Sequence, residues 1–446
     1  MKKAIFSMLS VLIFIAACQN DYHEPCDQAS INKKAYLYMK EWYLWYEHLP
    51  QINVADYETL SDMLSAVKYV EGDTVVDRFS YSVKKVDHDN YYAGKRYGMG
   101  TSWKRDDENR LFVSLVYPES PAGKAGLKRG QEILEINGYT VAELDENKQY
   151  NQEHKNDEDF TAKTDWDNVY DAEKKGEAVD IKLLENGTDT VDTTVYLDDY
   201  TMNSVLGASI VDNSGVKTGY LNFKAFINSS KDELDEAFSY FKENGIEELV
   251  VDLRYNGGGL VAVSQYLINL IAGPAVEDEK IIKIMYNDKH PEANSNYMGH
   301  VLENSMDLKK VAFITTRGTA SASEMVINSL SPFIEVSVIG DTTYGKPVGM
   351  NALDICDQTI VPITFKNANA ADFGDYFFGI PATCLSDDDF KHDFGDAEES
   401  SMKEALYYLK NGSCSDTLRY RGIERPYPED TIPFRLKGMN RIDYTF

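Results

Sequence analysis

The stretch from Glu248 to Gly259 constrains the fold of this chain more than any other. Glu248-Leu249-Val250-Val251-Asp252-Leu253 is a nearly unbroken apolar run. A strand covered on one face would alternate, so this one reads as buried on both. It breaks at Tyr255-Asn256-Gly257-Gly258-Gly259, and an apolar helical stretch follows from Leu260 to Ile271. The same alternation continues around it. Gly219–Phe223 reads as a strand and Lys231–Lys242 as an amphipathic helix. Val311–Thr315 is a strand, Ser321 to Leu330 a helix that stops before Pro332, and Val336–Gly340 another strand. Strands alternating with helices predict an α/β unit with a largely parallel sheet under helices. It runs from about residue 201 to the end.

Two residues in that unit carry chemistry. Ser321 lies in Gly318-Thr319-Ala320-Ser321-Ala322-Ser323-Glu324, and Lys346 in Tyr344-Gly345-Lys346-Pro347, 25 positions later. The helix and strand between them can fold back and bring an alcohol to an amine. A serine hydroxyl becomes a nucleophile when a base takes its proton, and a neutral lysine is such a base. Neutrality is demanding. An exposed lysine is unprotonated roughly once in 2,500 at pH 7, and moving its pKa to about 7 costs roughly 4–5 kcal/mol. Burial is the usual means, and Tyr344, Pro347, Val348 and Met350 offer mostly apolar company. Read from the residues alone, a surface lysine after a turn glycine stands as the alternative. Ser321-x-x-Glu324 also fits a helix capping box. Gly340-x-x-x-x-Gly345-Lys346 fits the front of a phosphate-binding loop, but Pro347 stands where that loop needs a hydroxyl and an N–H.

Upstream lie two smaller units. Asp21 to about Asn32 is a polar tether. Lys33 to Val86 reads mostly helical, with dense apolar positions at Ala35–Tyr46 and Leu60–Val70. From about Asp89 to Tyr200 the signs are different. Tyr97-Gly98-Met99-Gly100 leads into a strand, Ser120-Pro121-Ala122 opens a short helix, and Ala125-Gly126-Leu127 precedes Ile133-Leu134-Glu135-Ile136-Asn137-Gly138. This run resembles the PDZ domain of periplasmic proteases. The resemblance implies that the Gly98, Met99 and Gly100 loop offers N–H groups to a peptide's terminal carboxylate, beside a sheet edge that accepts the peptide as a strand. The other reading is a PDZ fold that only packs on its neighbour and gates it. An acidic, Asn- and Lys-rich stretch between Leu144 and Val179 departs from the pattern and reads as a loop insertion.

With these motifs in place, the chain resembles the tail-specific proteases, or C-terminal processing peptidases, over about residues 90–410. The helical front piece is similar to that of Bacteroidetes lipoprotein members. The resemblance implies a ClpP/crotonase-like serine peptidase core with a PDZ domain and a small helical N-terminal domain. It implies Ser321 as nucleophile and Lys346 as general base, with Thr319 replacing the first serine of the family's Ser-Ala-Ser-Ala-Ser-Glu motif. The N–H groups of Ala322, Gly257 and Gly258 would then stabilise the oxyanion. Two departures stand out: Met350 occupies the position of the family's lysine-orienting glutamine, and Pro332 that of an aspartate found in some members. The expected activity is endopeptidase cleavage of proteins or peptides near their C-termini. A non-catalytic binding lipoprotein on the same fold is the alternative, motivated by the missing glutamine.

Composition narrows the setting. With 45 basic against 73 acidic residues the net charge is −28, which argues against nucleic acid and anionic lipid as partners. Met1-Lys2-Lys3, a 14-residue apolar run and Ile15-Ala16-Ala17-Cys18 resemble a lipoprotein signal, predicting lipid attachment at Cys18 in the cell envelope. An ordinary cleaved signal peptide is the alternative. The expected segments are 1–18 signal peptide, 19–88 tether and helical domain, 89–200 PDZ domain and 201–446 peptidase domain. Cys26, Cys356, Cys384 and Cys414 allow three disulfide connectivities or free thiols. No cofactor or metal is implied: His290, His300 and His392 lack ligand spacing, and Asp387-Asp388-Asp389 reads as a solvated turn.

Overall fold

A computed structural model describes residues 25–415, apart from 158, 159 and 186. Cys18 and the apolar start of the chain lie outside the described residues. Among the described residues no helix is long and apolar enough to cross a membrane.

Two helices open the structure, α1 (Gln28–Trp42) and α2 (Leu60–Val67). Asp27 caps α1 by accepting from Ser30 N–H, and Thr59 caps α2 by accepting from Asp62 N–H. Ile31, Ala35 and Met39 recur every four residues and put one apolar stripe of α1 inward. The segment is less helical than its apolar density predicts. Val70–Glu71 and Thr74–Val75 form a small hairpin around Gly72 (φ 60°), because Gly72-Asp73 supplies a left-handed turn that a helix cannot use. A strand, β1 (Tyr81–Lys84), ends the unit.

The middle unit is a five-strand path with β2 (Thr101–Arg105) at its edge, followed by β3 (Leu111–Val116), β4 (Glu132–Ile136), β5 (Ala178–Glu185) and β6 (Asp189–Tyr196). The helix α3 (Val141–His154) starts on a full capping box between Thr140 and Glu143. It occupies the first part of the expected insertion. Residues 163 and 164 of the remainder lie against α3, where the Asn147 and Asn151 side chains donate to the carbonyls of Thr164 and Lys163.

The C-terminal unit is the predicted covered sheet. Its strands are β7 (Val205–Asn213), β8 (Val216–Phe223), β9 (Glu248–Asp252), β10 (Lys310–Thr315), β11 (Glu335–Gly340) and β12 (Cys384–Leu385), in that spatial order. All pairs are parallel except β7 with β8. The pleat sorts each strand between two cores. Leu249, Val251, Val311 and Phe313 pack with α4 (Ser230–Asn244), α5 (Val261–Ala272) and α6 (Ala322–Leu330). Val250, Ala312 and Ile314 pack with Met402, Ala405 and Leu409 of α7 (Ser400–Asn411).

The N-terminal unit is fastened to this body beside Lys346. The strand β1 pairs with Gln358–Val361. The side chains of α1 and α2 share one core with Val348, Ile355, Ile360 and Ile363. A disulfide joins Cys26 to Cys356 across 330 residues, and a second joins Cys384 to Cys414. These are one of the three connectivities the sequence leaves open.

Candidate active site

The strands β9 and β10 are neighbours in a parallel sheet, so the loops after them emerge side by side at their C-terminal ends, where open α/β sheets bind ligands. The first loop carries Asn256-Gly257-Gly258-Gly259 and the second carries Ser321. Hydrogen bonds lock them together. Thr319 Oγ1 donates to Leu253 O (2.8 Å), Ala320 N–H to Asn256 O (3.1 Å) and Ser323 Oγ to Asn256 O (3.0 Å).

Ser321 sits at the junction into α6 with φ 56° and ψ −113°, a conformation that costs a residue with a side chain on the order of 1–3 kcal/mol. The surroundings hold it there. Every residue of α6 is buried, and the loop bonds above fix the turn. The same strand-to-helix bend leaves Ser321 half-buried at the helix start.

The glycine loop lies directly against this turn. A Cβ on Gly258 (φ 95°) would come within 2.7 Å of Ala322 N and 2.9 Å of Ser321 Cβ. Among the described residues, Gly257 N–H and Ala322 N–H have no intrachain acceptor. Gly258 is different. Its N–H is donated to Asn256 Oδ1 at 2.9 Å, which corrects the expectation that it is a free oxyanion donor. Its contribution is the close approach that a side chain would forbid.

Glu324 joins the serine loop to the lysine loop. Its Oε2 accepts from Ser321 N–H (2.9 Å) and from Lys346 N–H (2.8 Å), and its Oε1 accepts from Gly345 N–H (2.6 Å) and Thr343 Oγ1 (2.5 Å). The backbone nitrogens of Ser321 and Lys346 are therefore no farther apart than the sum of the two Oε2 distances. Burial pushes this carboxyl's pKa up, against the four donors that favour its ionised form. Glu324→Gln would aim an NH2 group at two of these donors. It is expected to destabilise the protein by about 1–3 kcal/mol and to slow modification of Ser321 about a hundredfold. A thermal melt and a labelling rate both matching the unaltered protein would remove Glu324 from the site's architecture.

Burial lowers the pKa of Lys346 from 10.5 to about 8, against the carboxylates of Asp77 and Glu324, which raise it. Such a shift corresponds to roughly 3 kcal/mol. The amine lies 5.6 Å from the ring centre of Phe79, and a ring face returns only about 0.5–1 kcal/mol to the ammonium form, so desolvation wins. The amine meets Met350 Sδ at 3.5 Å, and no hydrogen bond joins it to the Ser321 hydroxyl in this conformation. Met350 thus stands beside the amine as a weak acceptor. The segment after Lys346 continues into the strand Val348–Met350 rather than a helix, unlike a phosphate-binding loop.

Next to the glycine loop lies a charge cluster that the sequence does not reveal. Arg254 is fully buried, with Nη2 2.6 Å from Asp252 Oδ2 and Nη1 2.7 Å from Glu399 Oε1. Asp388 adds contacts to Arg254 Nη1 (3.3 Å), Arg129 Nη2 (3.4 Å), Tyr255 Oη (2.6 Å) and Lys104 Nζ. Asp388 is therefore not part of a solvated turn. Burial pushes its carboxyl pKa up, but Lys104, Arg254 and Arg129 outweigh that and hold it well below the usual range. Lys104 and Arg129 belong to the middle unit, so the cluster bolts that unit to the glycine loop.

In the middle unit, Gly98 (φ 124°) and Gly100 (φ 79°) flank buried Met99, and the Met99 and Gly100 N–H groups have no intrachain acceptor among the described residues. Among the described residues the strand β2 pairs with β3 alone, at the edge of the sheet. Asp145 Oδ1 of α3 accepts from Arg105 of β2 (2.9 Å) and from Trp166 of the insertion (2.7 Å). The insertion thus reaches the far end of β2 from the Gly98–Gly100 loop. Of the histidines, His290 stacks on Trp42 (3.7 Å between ring centres) and His392 pairs with Asp389 (2.7 Å).

The family model described as Peptidase family S41 matches residues 217–381, the Peptidase S41 N-terminal domain matches 30–81 and a PDZ domain matches 112–158. Over residues 217–381 the chain is similar to peptidase family S41. Among its relatives is the carboxy-terminal processing protease CtpA of Bacillus subtilis, 26% identical over 62% of this chain and 52% of that protein. CtpB of the same organism is 26% identical over 60% and 50%. The chain spans about half the length of these curated relatives. The solved structure of an S41 protease homologue from Bacteroides fragilis shares the fold, with a TM-score of 0.67 at 22% identity over 87% of this chain and 99% of that one.

Proposed function

We propose that this protein is a serine endopeptidase that cleaves proteins or peptides near their C-termini through a Ser321/Lys346 dyad. One observation carries the reading. A lysine whose amine is depressed to about 8 by burial has its backbone N–H on the same carboxylate oxygen that holds the backbone N–H of Ser321.

In the proposed reaction the neutral Lys346 amine takes the Ser321 proton as Oγ attacks the scissile carbonyl carbon. The carbonyl oxygen becomes an oxyanion that the Ala322 and Gly257 N–H groups bind. The C–N bond then breaks, and Lys346 gives its proton to the leaving amine. Water, deprotonated by Lys346, attacks the ester and releases Ser321 with a new carboxylate. The amine reaches Oγ by turning its side chain away from Met350, since catalytic hydrogen bonds tighten once substrate is bound.

The PDZ domain would take the substrate's terminal carboxylate at the Gly98, Met99 and Gly100 loop and its last residues along β2. The Lys104–Arg129–Asp388 cluster would pass that occupancy to the glycine loop. Cys18 would tether the protein to a membrane of the cell envelope by lipid.

A fluorophosphonate probe tests the dyad. Wild-type protein is expected to be labelled at Ser321, and Ser321→Ala and Lys346→Ala are expected not to be. Absent labelling of the wild type would favour a peptide-binding lipoprotein without catalysis, the reading that the Lys346–Met350 contact supports.

A further inference from the structure

We infer that Asp77, Arg78 and Phe79 of the N-terminal unit complete the base site as positioning residues: Phe79 keeps water from the Lys346 amine, Arg78 fixes the loop that carries it, and Asp77 sets both its charge and the turn that aims Phe79. The inference rests on the Ser321/Lys346 reading above.

The geometry is specific. A single guanidinium nitrogen of Arg78 donates to the carbonyls of Tyr344 (3.3 Å), Gly345 (3.0 Å) and Phe377 (2.9 Å). Two of these immediately precede Lys346, so the base loop is held from the N-terminal side by Arg78 and from α6 by Glu324. The guanidinium also lies over the rings of Tyr344 (4.8 Å) and Phe79 (5.1 Å), which meet edge to face. Phe79 is only 8% exposed and shields the amine. Asp77 is wholly buried. Its Oδ1 accepts from the N–H groups of Phe79 (3.1 Å) and Ser80 (2.9 Å), and its Oδ2 from Tyr43 Oη (2.6 Å).

The charged groups around the amine oppose one another. Asp77 and Glu324 favour the ammonium form. Arg78 brings positive charge to the base loop, and Lys68 lies within reach of Asp77. Pairing of β1 with Gln358–Val361, the shared core and the Cys26–Cys356 disulfide keep these residues in place. The base environment is thus assembled from two segments more than 260 residues apart.

The test is the pH dependence of the second-order rate of Ser321 labelling by a fluorophosphonate, measured on the full chain. Phe79→Ala is expected to move the midpoint up by about one unit and to slow labelling at pH 7 about tenfold, because water reaches the amine. Phe79→Leu, which restores apolar cover, is expected to return it to the wild-type value. Asp77→Asn is expected to move the midpoint down, since a carboxylate that favours the ammonium is gone. A packing role alone would lower the yield of folded protein without moving either midpoint. Midpoints unchanged in both Phe79→Ala and Asp77→Asn overturn the inference and leave the dyad standing. If Phe79→Ala does not fold, the sign of the Asp77→Asn shift decides in the same way. A wild type unlabelled at Ser321 removes the dyad and the inference together.

Discussion

Lys346→Ala is expected to slow peptide-bond hydrolysis by about 10²–10⁴-fold, the range that positioned general bases supply. Only the side chain of Lys346 is lost, because the Ser321 and Lys346 donors to Glu324 are backbone N–H groups and are kept. Lys346→Arg is expected to be no better. A guanidinium stays charged at any working pH and cannot accept the serine proton. In the unaltered protein the sign of the pH dependence follows from the depressed pKa. The amine is the base only when neutral, so the rate rises with pH through a midpoint of about 8 and falls about tenfold per unit below it. Quenched-fluorescent casein reports all three. Turnover within a few-fold of wild type in Lys346→Ala would exclude this base.

The second large effect is on stability. Arg254→Ala is expected to destabilise the C-terminal unit by about 3–5 kcal/mol, lowering the midpoint of that unit's thermal unfolding by roughly 10 °C. The reason lies in what remains. Asp252 and Glu399 are buried and lose the cation that each of them grips, and Asp388 loses one of three. Removing one member of a buried ion cluster strands its partners in a medium that solvates charge poorly. Arg254→Lys is expected to recover only part of the loss, because an ammonium cannot span Asp252 and Glu399 with planar paired bonds. A melting curve for Arg254→Ala that overlies the wild type would show that this cluster is solvated.

The readable parts of the sequence were those where local pattern and fold agree. The run Glu248–Leu253 is packed on both faces because the sheet is covered on both, and the helix–strand unit between Ser321 and Lys346 returns the chain to the same edge. Glu324 was half legible. Its bond to Ser321 N–H lies within one helical turn, but its donors at Thr343, Gly345 and Lys346 come from the far end of that unit. Asp388 was misread because three adjacent aspartates suggest solvent, whereas its cations come from positions 104, 129 and 254. The roles of Asp77, Arg78 and Phe79 were equally hidden. Their short run carries no periodicity, and the loop they grip is far along the chain. Gly258 was misassigned because glycine permits both a free N–H and a close approach, and only coordinates show that Asn256 has taken the N–H.

Catalysis by this dyad requires the Lys346 amine to be neutral in about a tenth of molecules at pH 7, the fraction that a pKa of about 8 gives. The direct measurement is an NMR titration of protein labelled with 13C at lysine Cε, the resonance being assigned by its absence in Lys346→Arg. The Lys346 resonance is expected to titrate with a midpoint near 8, set apart from the exposed lysines near 10.4. A Lys346 resonance that titrates with those exposed lysines would contradict the dyad.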